Sequence, residues 1–381
     1  MEYKKIEELT TVVTGGTPST SKSEYWDGGN IPWLQSGCCQ NCDVYGAEKC
    51  ITQLGYDNSS TKMMPINTVM IALTGATAGK VGYLQFEACG NQSITGILPC
   101  DKLDQRYLFY YLRSQRDRIL SDCIGGAQPH ISQGYVKKIS IPVPTIEEQW
   151  NIVEKLTKLN TIIEQRNHEI ELLDDLIKAR FVEMFGDAKS NPYGFEKRPL
   201  KETCTVITGN TPSRSVSEYY GDSIEWIKTD NIVAGQLNPS QALEYLSDEG
   251  VKVGRTVEKG AILMACIAGS VASIGRVCIT DRKVAFNQQI NAIVLKDYDS
   301  LFLHAMLQLS KEYLVEEINM ALKGILSKSK LEGKEFIVPP IDQQKQFAAF
   351  VAQVDKSKVA VQAALNKAQL LFDSLMQQYF G

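Results

Sequence analysis

Three spacings in this chain approach known chemistry, and each stops short of it. Cys39, Cys42 and Cys50 stand in C-x2-C-x7-C order within GCCQNCDVYGAEKC, which is the spacing of half a zinc site. The second C-x2-C pair that would close a tetrahedral site is missing, so incidental or buried thiols stand beside zinc as the reading. GATAGK at 75–80 has the outline of a phosphate loop, but three residues rather than four separate its glycines and Val81 stands where a hydroxyl would meet magnesium. NPYG at 191–194 lacks the second proline of the Asn-Pro-Pro-aromatic signature of amino-methyltransferases, and no glycine-rich cofactor strand precedes it, so it reads as a turn. None of His130, His168 and His304 recurs in the repeat, and no carboxylate pair with a lysine and no Ser/His/Asp set can be assembled. No catalytic group and no metal is expected of this chain, and no cofactor of its own.

What does recur is polar and glycine-marked. GGTPSTSKSEYW at 15–26 returns as GNTPSRSVSEYY at 209–220 with eight of twelve positions identical. Hydroxyls crowded round a proline order a loop by bonding nearby backbone groups. Ser, Thr, Asn, Gln, Lys and Arg are also the side chains that meet phosphates and base edges. The residues that would make such contacts are Thr17, Ser19, Thr20, Lys22 and Tyr25 in the first copy, and Thr211, Ser213, Arg214 and Tyr219 in the second. Gln35 and Ser36 follow the first copy where Lys228 and Thr229 follow the second. Lys80 and Arg276 close the glycine-punctuated stretches, and Gln92 and Gln288 belong to NQ pairs set in apolar, strand-like runs. For those pairs a buried amide network is the competing reading. Trp33 and Trp226 are expected in the core. The two copies differ at Thr20/Arg214 and Lys22/Val216, so they share a frame and not its tips.

The elements that must hold this frame are duplicated too. VMIALTGATAGKVG answers ILMACIAGSVASIG, LDQRYLFYYL answers YDSLFLHAML with Asp104 and Asp299 as helix caps, and ISIPVPTIEEQ answers EFIVPPIDQQ. The chain is a tandem repeat of a unit of about 190 residues. Each unit ends in 39 residues without Pro or Gly, 147–185 and 342–380, which predicts two long helices, the first opened by the capping box Thr145-x-x-Glu148.

A 4,3 spacing in the first helix selects Ile152, Leu156, Leu159, Ile163, Arg166, Ile170, Leu173, Ile177, Arg180 and Met184, eight of ten apolar. The same spacing 195 residues on selects Phe347, Val351, Val354, Lys358, Val361, Leu365, Ala368, Phe372, Leu375 and Tyr379, nine of ten apolar. A heptad seam sustained this far needs a partner helix, and equal length makes each helix the partner of the other, antiparallel, as a spacer roughly 58 Å long. The fold class expected is α+β: two globular domains at 1–144 and 187–340, separated by a pseudo-twofold, two-helix coiled coil from 145–186 and 341–381.

Charge alone argues against nucleic acid, since 40 basic and 44 acidic residues give a net charge of −4. The acidity sits in one helix: residues 147–186 carry 5 basic and 9 acidic side chains, whereas 1–146 carry 13 of each. Nearly neutral heads grip phosphate weakly by themselves, so if DNA is the ligand, partner subunits are expected to supply much of the nonspecific grip. Seven of the ten cysteines fall in the first 150 residues without counterparts in the repeat, and reduced thiols are expected. With no secretory signal and no apolar run near 20 residues, a cytoplasmic chain with no membrane partner is expected.

The opening TGGTPS and TGNTPS, the closing IPVPTIEEQ and IVPPIDQQ, and the helix ends FVEMFG and LMQQYFG together resemble the specificity subunit of a type I restriction–modification system, over essentially the whole chain. The resemblance implies two target-recognition domains, each reading one half of a bipartite, asymmetric site in double-stranded DNA, with the helices setting the gap. It implies a non-catalytic subunit whose partners are two methyltransferase (M) subunits and motor-endonuclease (R) subunits. S-adenosylmethionine, ATP and magnesium would belong to those partners. The other readings are a recognition subunit of a related methyltransferase–nuclease system and a coiled-coil scaffold that does not bind DNA.

Overall fold

The computed structural model describes residues 2–122, 130–268, 273–316 and 324–381. Cys123 and residues 269–272 of the second glycine-punctuated stretch lie outside that set. The chain divides into two units, residues 1–166 with 364–381, and residues 167–363, so each unit holds one head and part of each long helix. Among the described residues no helix is long and apolar enough to cross a membrane.

Both heads rest on the same four antiparallel strands. In the first unit the order is Val12–Thr14, Ile94–Ile97, Val69–Ala72 and Val81–Leu84. In the second it is Cys204–Thr208, Ile290–Leu295, Ile262–Ala265 and Val277–Ile279. The central strands read as unbroken apolar runs because both of their faces are covered, and side chains alternate between the faces. Val69 and Ile71 enter the core shared with the helices, whereas Met70 and Ala72 enter a second core beneath the polar loop. Ile262 and Met264 divide from Leu263 and Ala265 in the same way.

A second sheet carries the loop. Ile31–Leu34 lies between Lys49–Ile51 and Cys89–Gly90, and Tyr220–Ile227 lies between Tyr245–Leu246 and Val284–Phe286. The cysteine segment makes the difference between the heads. Cys42–Val44 adds a fifth, parallel strand beside Val81–Leu84, and Arg106 fixes it with two hydrogen bonds to Asp43 at 2.5 and 2.8 Å. The second unit has a loop in that place, tied to the strand edge by Asn238, whose amide donates to the Ile279 carbonyl at 2.8 Å.

Each head is locked to its helices by the repeated glutamine of EEQ and DQQ. Gln149 is buried, its Oε1 accepting from the Asp104 backbone at 2.8 Å and its Nε2 donating to the Pro144 carbonyl at 3.0 Å. Gln344 makes the matching pair with Asp299 and Pro339, at 2.9 and 2.8 Å. Asp104 and Asp299 cap the helices Gln105–Ser114 and Ser300–Leu309 as expected.

The long helices run Ile146–Phe185 and Ile341–Phe380, and the Thr145–Glu148 box forms, with the Thr145 amide donating to the Glu148 carboxylate at 2.9 Å. Every seam position from Ile152 to Ile177 and from Val351 to Leu375 is buried or half-buried, while Leu172, Leu176, Val359 and Leu370 off the seam are exposed. Within the second unit the two helices run antiparallel, since Asp174 meets Lys358 at 2.6 Å while Phe181 and Phe185 meet Phe347. In the first unit the Lys155 ammonium reaches the Tyr379 hydroxyl at 3.4 Å.

Phe181, Phe185, Phe302 and Phe347 form one fully buried aromatic cluster with ring centroids 4.9 to 6.2 Å apart. Phe347→Ala is therefore expected to destabilise the second unit by roughly 3–5 kcal/mol, read by chemical denaturation. His304, buried where Ser300–Leu309 faces Val277, has its pKa pushed down to about 4, chiefly by burial and further by Lys358, against the pull of the Val277 carbonyl. Unfolded chain binds this proton near pH 6.5, whereas folded chain does not until about pH 4. Stability should be complete above pH 6.5 and decline by roughly 3 kcal/mol as pH falls to about 4, and His304→Gln should flatten that part of the profile.

Candidate nucleic-acid interface

The repeated loop is fixed to the scaffold by close backbone contact, which is why it begins with glycine in both copies. A Cβ on Gly15 would stand 2.1 Å from the Gly90 carbonyl, and one on Gly209 would stand 2.1 Å from the Asn287 carbonyl. Gly16 donates to the Gly90 carbonyl at 2.8 Å, and Asn210 to Phe286 at 3.2 Å. The indoles of Trp33 and Trp226 are in the core as expected, and they pin the loop by donating to the carbonyls of Gly16 and Asn210 at 2.9 and 3.3 Å.

Most of the shared hydroxyls order the loop. Ser19 pairs with Ser21 at 2.9 Å and Ser213 with Ser215 at 2.8 Å. Tyr25 is buried and its hydroxyl takes the Lys22 ammonium at 2.9 Å, while Tyr219 is half-buried. A second anchor was not legible as part of the frame: Thr52 and Ser247 cap short helices and donate back to the carbonyls of Glu24 and Glu218. Gly55 and Gly250 follow three residues later, against the carbonyls of Tyr25 and Tyr219. The signal was the pair TQLG and SDEG at the constant offset of 195 residues.

Other shared groups remain free to act outward. The Thr17 hydroxyl donates to Gln92 Oε1 at 2.5 Å, and Thr211 donates to Gln288 Oε1 in the same way. Both glutamines are exposed, and with the amide oxygen engaged each keeps an NH2 donor that has no hydrogen-bond partner among the described residues. The NQ pairs lie in turns and not in strands, because Asn91 and Asn287 accept from the backbone two residues on, at 3.1 Å in each case. That local bond overrides the apolar neighbours. Asn287 is buried and Asn91 half-buried, so a buried amide beside an exposed glutamine is found in the second pair, and a partly covered one in the first.

The tips differ. In the first unit Thr20 and Gln35 are exposed, and Gln35 and Ser36 line a cavity of about 450 Å³ with Trp33, Lys49 and Asn91. Lys80 is engaged at 2.7 Å with Gln40. In the second unit Arg214 and Lys228 both reach Glu244, Thr229 opens a turn over Thr229–Asn231, and Arg276 is half-buried. Cys39 is buried, Cys42 is exposed, and Cys50 lies on the neighbouring sheet. Among the described residues no three His, Cys, Asp or Glu groups converge to hold a metal.

Comparison with known proteins adds a lineage to this geometry. The family model described as "Type I restriction modification DNA specificity domain" matches residues 1–172 and again 192–369. The MjaIX specificity subunit of Methanocaldococcus jannaschii is 26% identical over 98% of this chain and 91% of its own length. The EcoR124I/EcoR124II specificity subunit of Escherichia coli is 32% identical over 45% of each chain. In fold, the chain is similar to the S subunit from M. genitalium, with a TM-score of 0.63 at 15% identity, covering 100% of this chain and 96% of that one. A chain from a type I R-M system studied for its assembly and conformational transition gives a TM-score of 0.54 at 16% identity, covering 100% and 97%. A loop held twice in one frame, on two heads each followed by a long helix, is thus matched by two copies of one domain model: the chain belongs to the type I restriction–modification DNA specificity family, as a specificity subunit.

Proposed function

We propose that each head reads one half of a bipartite, asymmetric site in double-stranded DNA, and that the long helices, packed as an antiparallel coiled coil, set the gap between the halves. The observation that carries this reading is a loop frame shared by both heads whose polar tips diverge. Loop anchors, indoles and oriented glutamines are common to both heads, while Thr20/Arg214, Lys22/Val216, Gln35/Lys228 and Ser36/Thr229 diverge. Contacts to the DNA backbone suit the shared groups, and contacts to base edges suit the divergent ones. A symmetric dimer would read a palindrome, and divergence within a tandem repeat removes that constraint.

The chain is a non-catalytic subunit in this proposal. Its near-neutral heads leave much of the phosphate grip to two methyltransferase subunits docked on the helices, with motor-endonuclease subunits joining for cleavage. S-adenosylmethionine, ATP and magnesium act in those partners, in the cytoplasm. Replacing residues 1–144 with the corresponding domain of another family member and mapping methylation by long reads tests it. One half-site should change and the other stay. A change in both, or in neither, would refute independent reading by the heads.

A further inference from the structure

Building on the proposed DNA reading, we infer that Arg214, Lys228 and Glu244 form a guanine-reading site in the second unit, with Arg214 and Lys228 as donors and Glu244 as the residue that positions them. Arg214 and Lys228 lie over the shared indole, Glu244 lies beside Trp226, and all three positions differ between the heads. Thr20 stands in place of Arg214 and Gln35 in place of Lys228. Lys49, opposite Trp33 in the sheet, stands in place of Glu244, whose carbonyl accepts from the Trp226 backbone at 3.0 Å.

Glu244 Oε2 accepts from Arg214 Nη2 at 2.6 Å, while Oε1 accepts from the Lys228 ammonium. The guanidinium carbon lies 4.4 Å from the Tyr220 ring centre and 5.1 Å from that of Trp226, and the Lys228 ammonium lies 5.1 Å from Trp226. Hydrogen bonds from Lys228 first, and then from Arg214, hold the Glu244 carboxyl below its usual range, so it stays ionised. Among the described residues Glu244 is the only hydrogen-bond partner of the Arg214 guanidinium, whose other N–H groups are left for a ligand.

Two cations and one carboxylate leave a net charge of +1, enough to favour DNA. The carboxylate between them repels a phosphate, which turns the site toward a base edge. A lone arginine on an open surface takes many rotamers, but one held by a carboxylate and ring faces presents its donors in a fixed direction. Guanine alone shows two adjacent major-groove acceptors, O6 and N7, that match such a donor pair.

The test uses the complex with methyltransferase subunits and its mapped site, with each guanine of the second unit's half-site replaced in turn by 7-deazaguanine, which lacks N7. One guanine should weaken binding roughly tenfold to a hundredfold when replaced. Arg214→Ala should lose a similar factor and become indifferent to that replacement. Glu244→Gln should relax base preference at that position while tightening binding to nonspecific DNA, a split that loss of a merely structural ion pair would not produce. Specific binding without dependence on any guanine, or an Arg214→Ala protein that keeps the dependence, overturns this site and leaves the DNA reading intact. Failure of the unmodified complex to select any site overturns both.

Discussion

Adding seven residues to each long helix, after Arg166 and after Ala363 where the chain passes between its two units, is expected to lengthen the methylated site without altering either half. Seven residues are two helical turns, about 10.5 Å. At ~3.4 Å per base pair that displacement corresponds to about three base pairs of spacer. A heptad keeps the seam in phase, so residues such as Leu156 and Phe372 keep their burial, whereas an insertion in one helix alone slides the seams past each other. The single-helix variant should melt at lower temperature and methylate poorly, and the double variant should fold normally. Long-read methylation mapping gives the result directly. An unchanged spacer with altered half-sites would remove the helices as the ruler.

The parts of this protein that were legible in advance are those fixed by local rules. The helices Ile146–Phe185 and Ile341–Phe380 followed from 39 residues free of Pro and Gly and a sustained 4,3 spacing; each starts one residue before the expected position and ends at the expected one. Asp104 and Asp299 were readable as caps because a cap needs only the next three residues. The extra strand Cys42–Val44 was not readable, because its parallel pairing with Val81–Leu84 depends on a partner forty residues away. The same holds for the site over Trp226. Glu244 follows Arg214 by thirty residues, and nothing in its neighbourhood marks it as the group that collects two cations. The repeat could show where the heads differ, but only the sheet register shows that the differences meet at one indole.

Gly209→Val should abolish site selection by the complex while leaving the rest of the second unit folded. The new Cβ would lie 2.1 Å from the Asn287 carbonyl and 2.6 Å from the Phe286 carbonyl, both backbone atoms next to a buried strand, so the loop has to move and not the sheet. Moving it breaks the bond from Gly209 to the Ile290 carbonyl and draws Thr211 away from Gln288, so the oriented amide and the cations over Trp226 are displaced together. The stability lost is roughly 1–3 kcal/mol, the usual range for overpacking, and the head still has its own core from Ile227 to Ala292. Because a bipartite site needs both heads at once, binding should drop to the nonspecific level, a loss of roughly a thousandfold or more. Gly333→Ala, with open space around the added Cβ, is the matched control and should leave binding unchanged. Competition between the mapped site and random DNA reads the outcome, and full selectivity in Gly209→Val would show that this loop does not carry recognition.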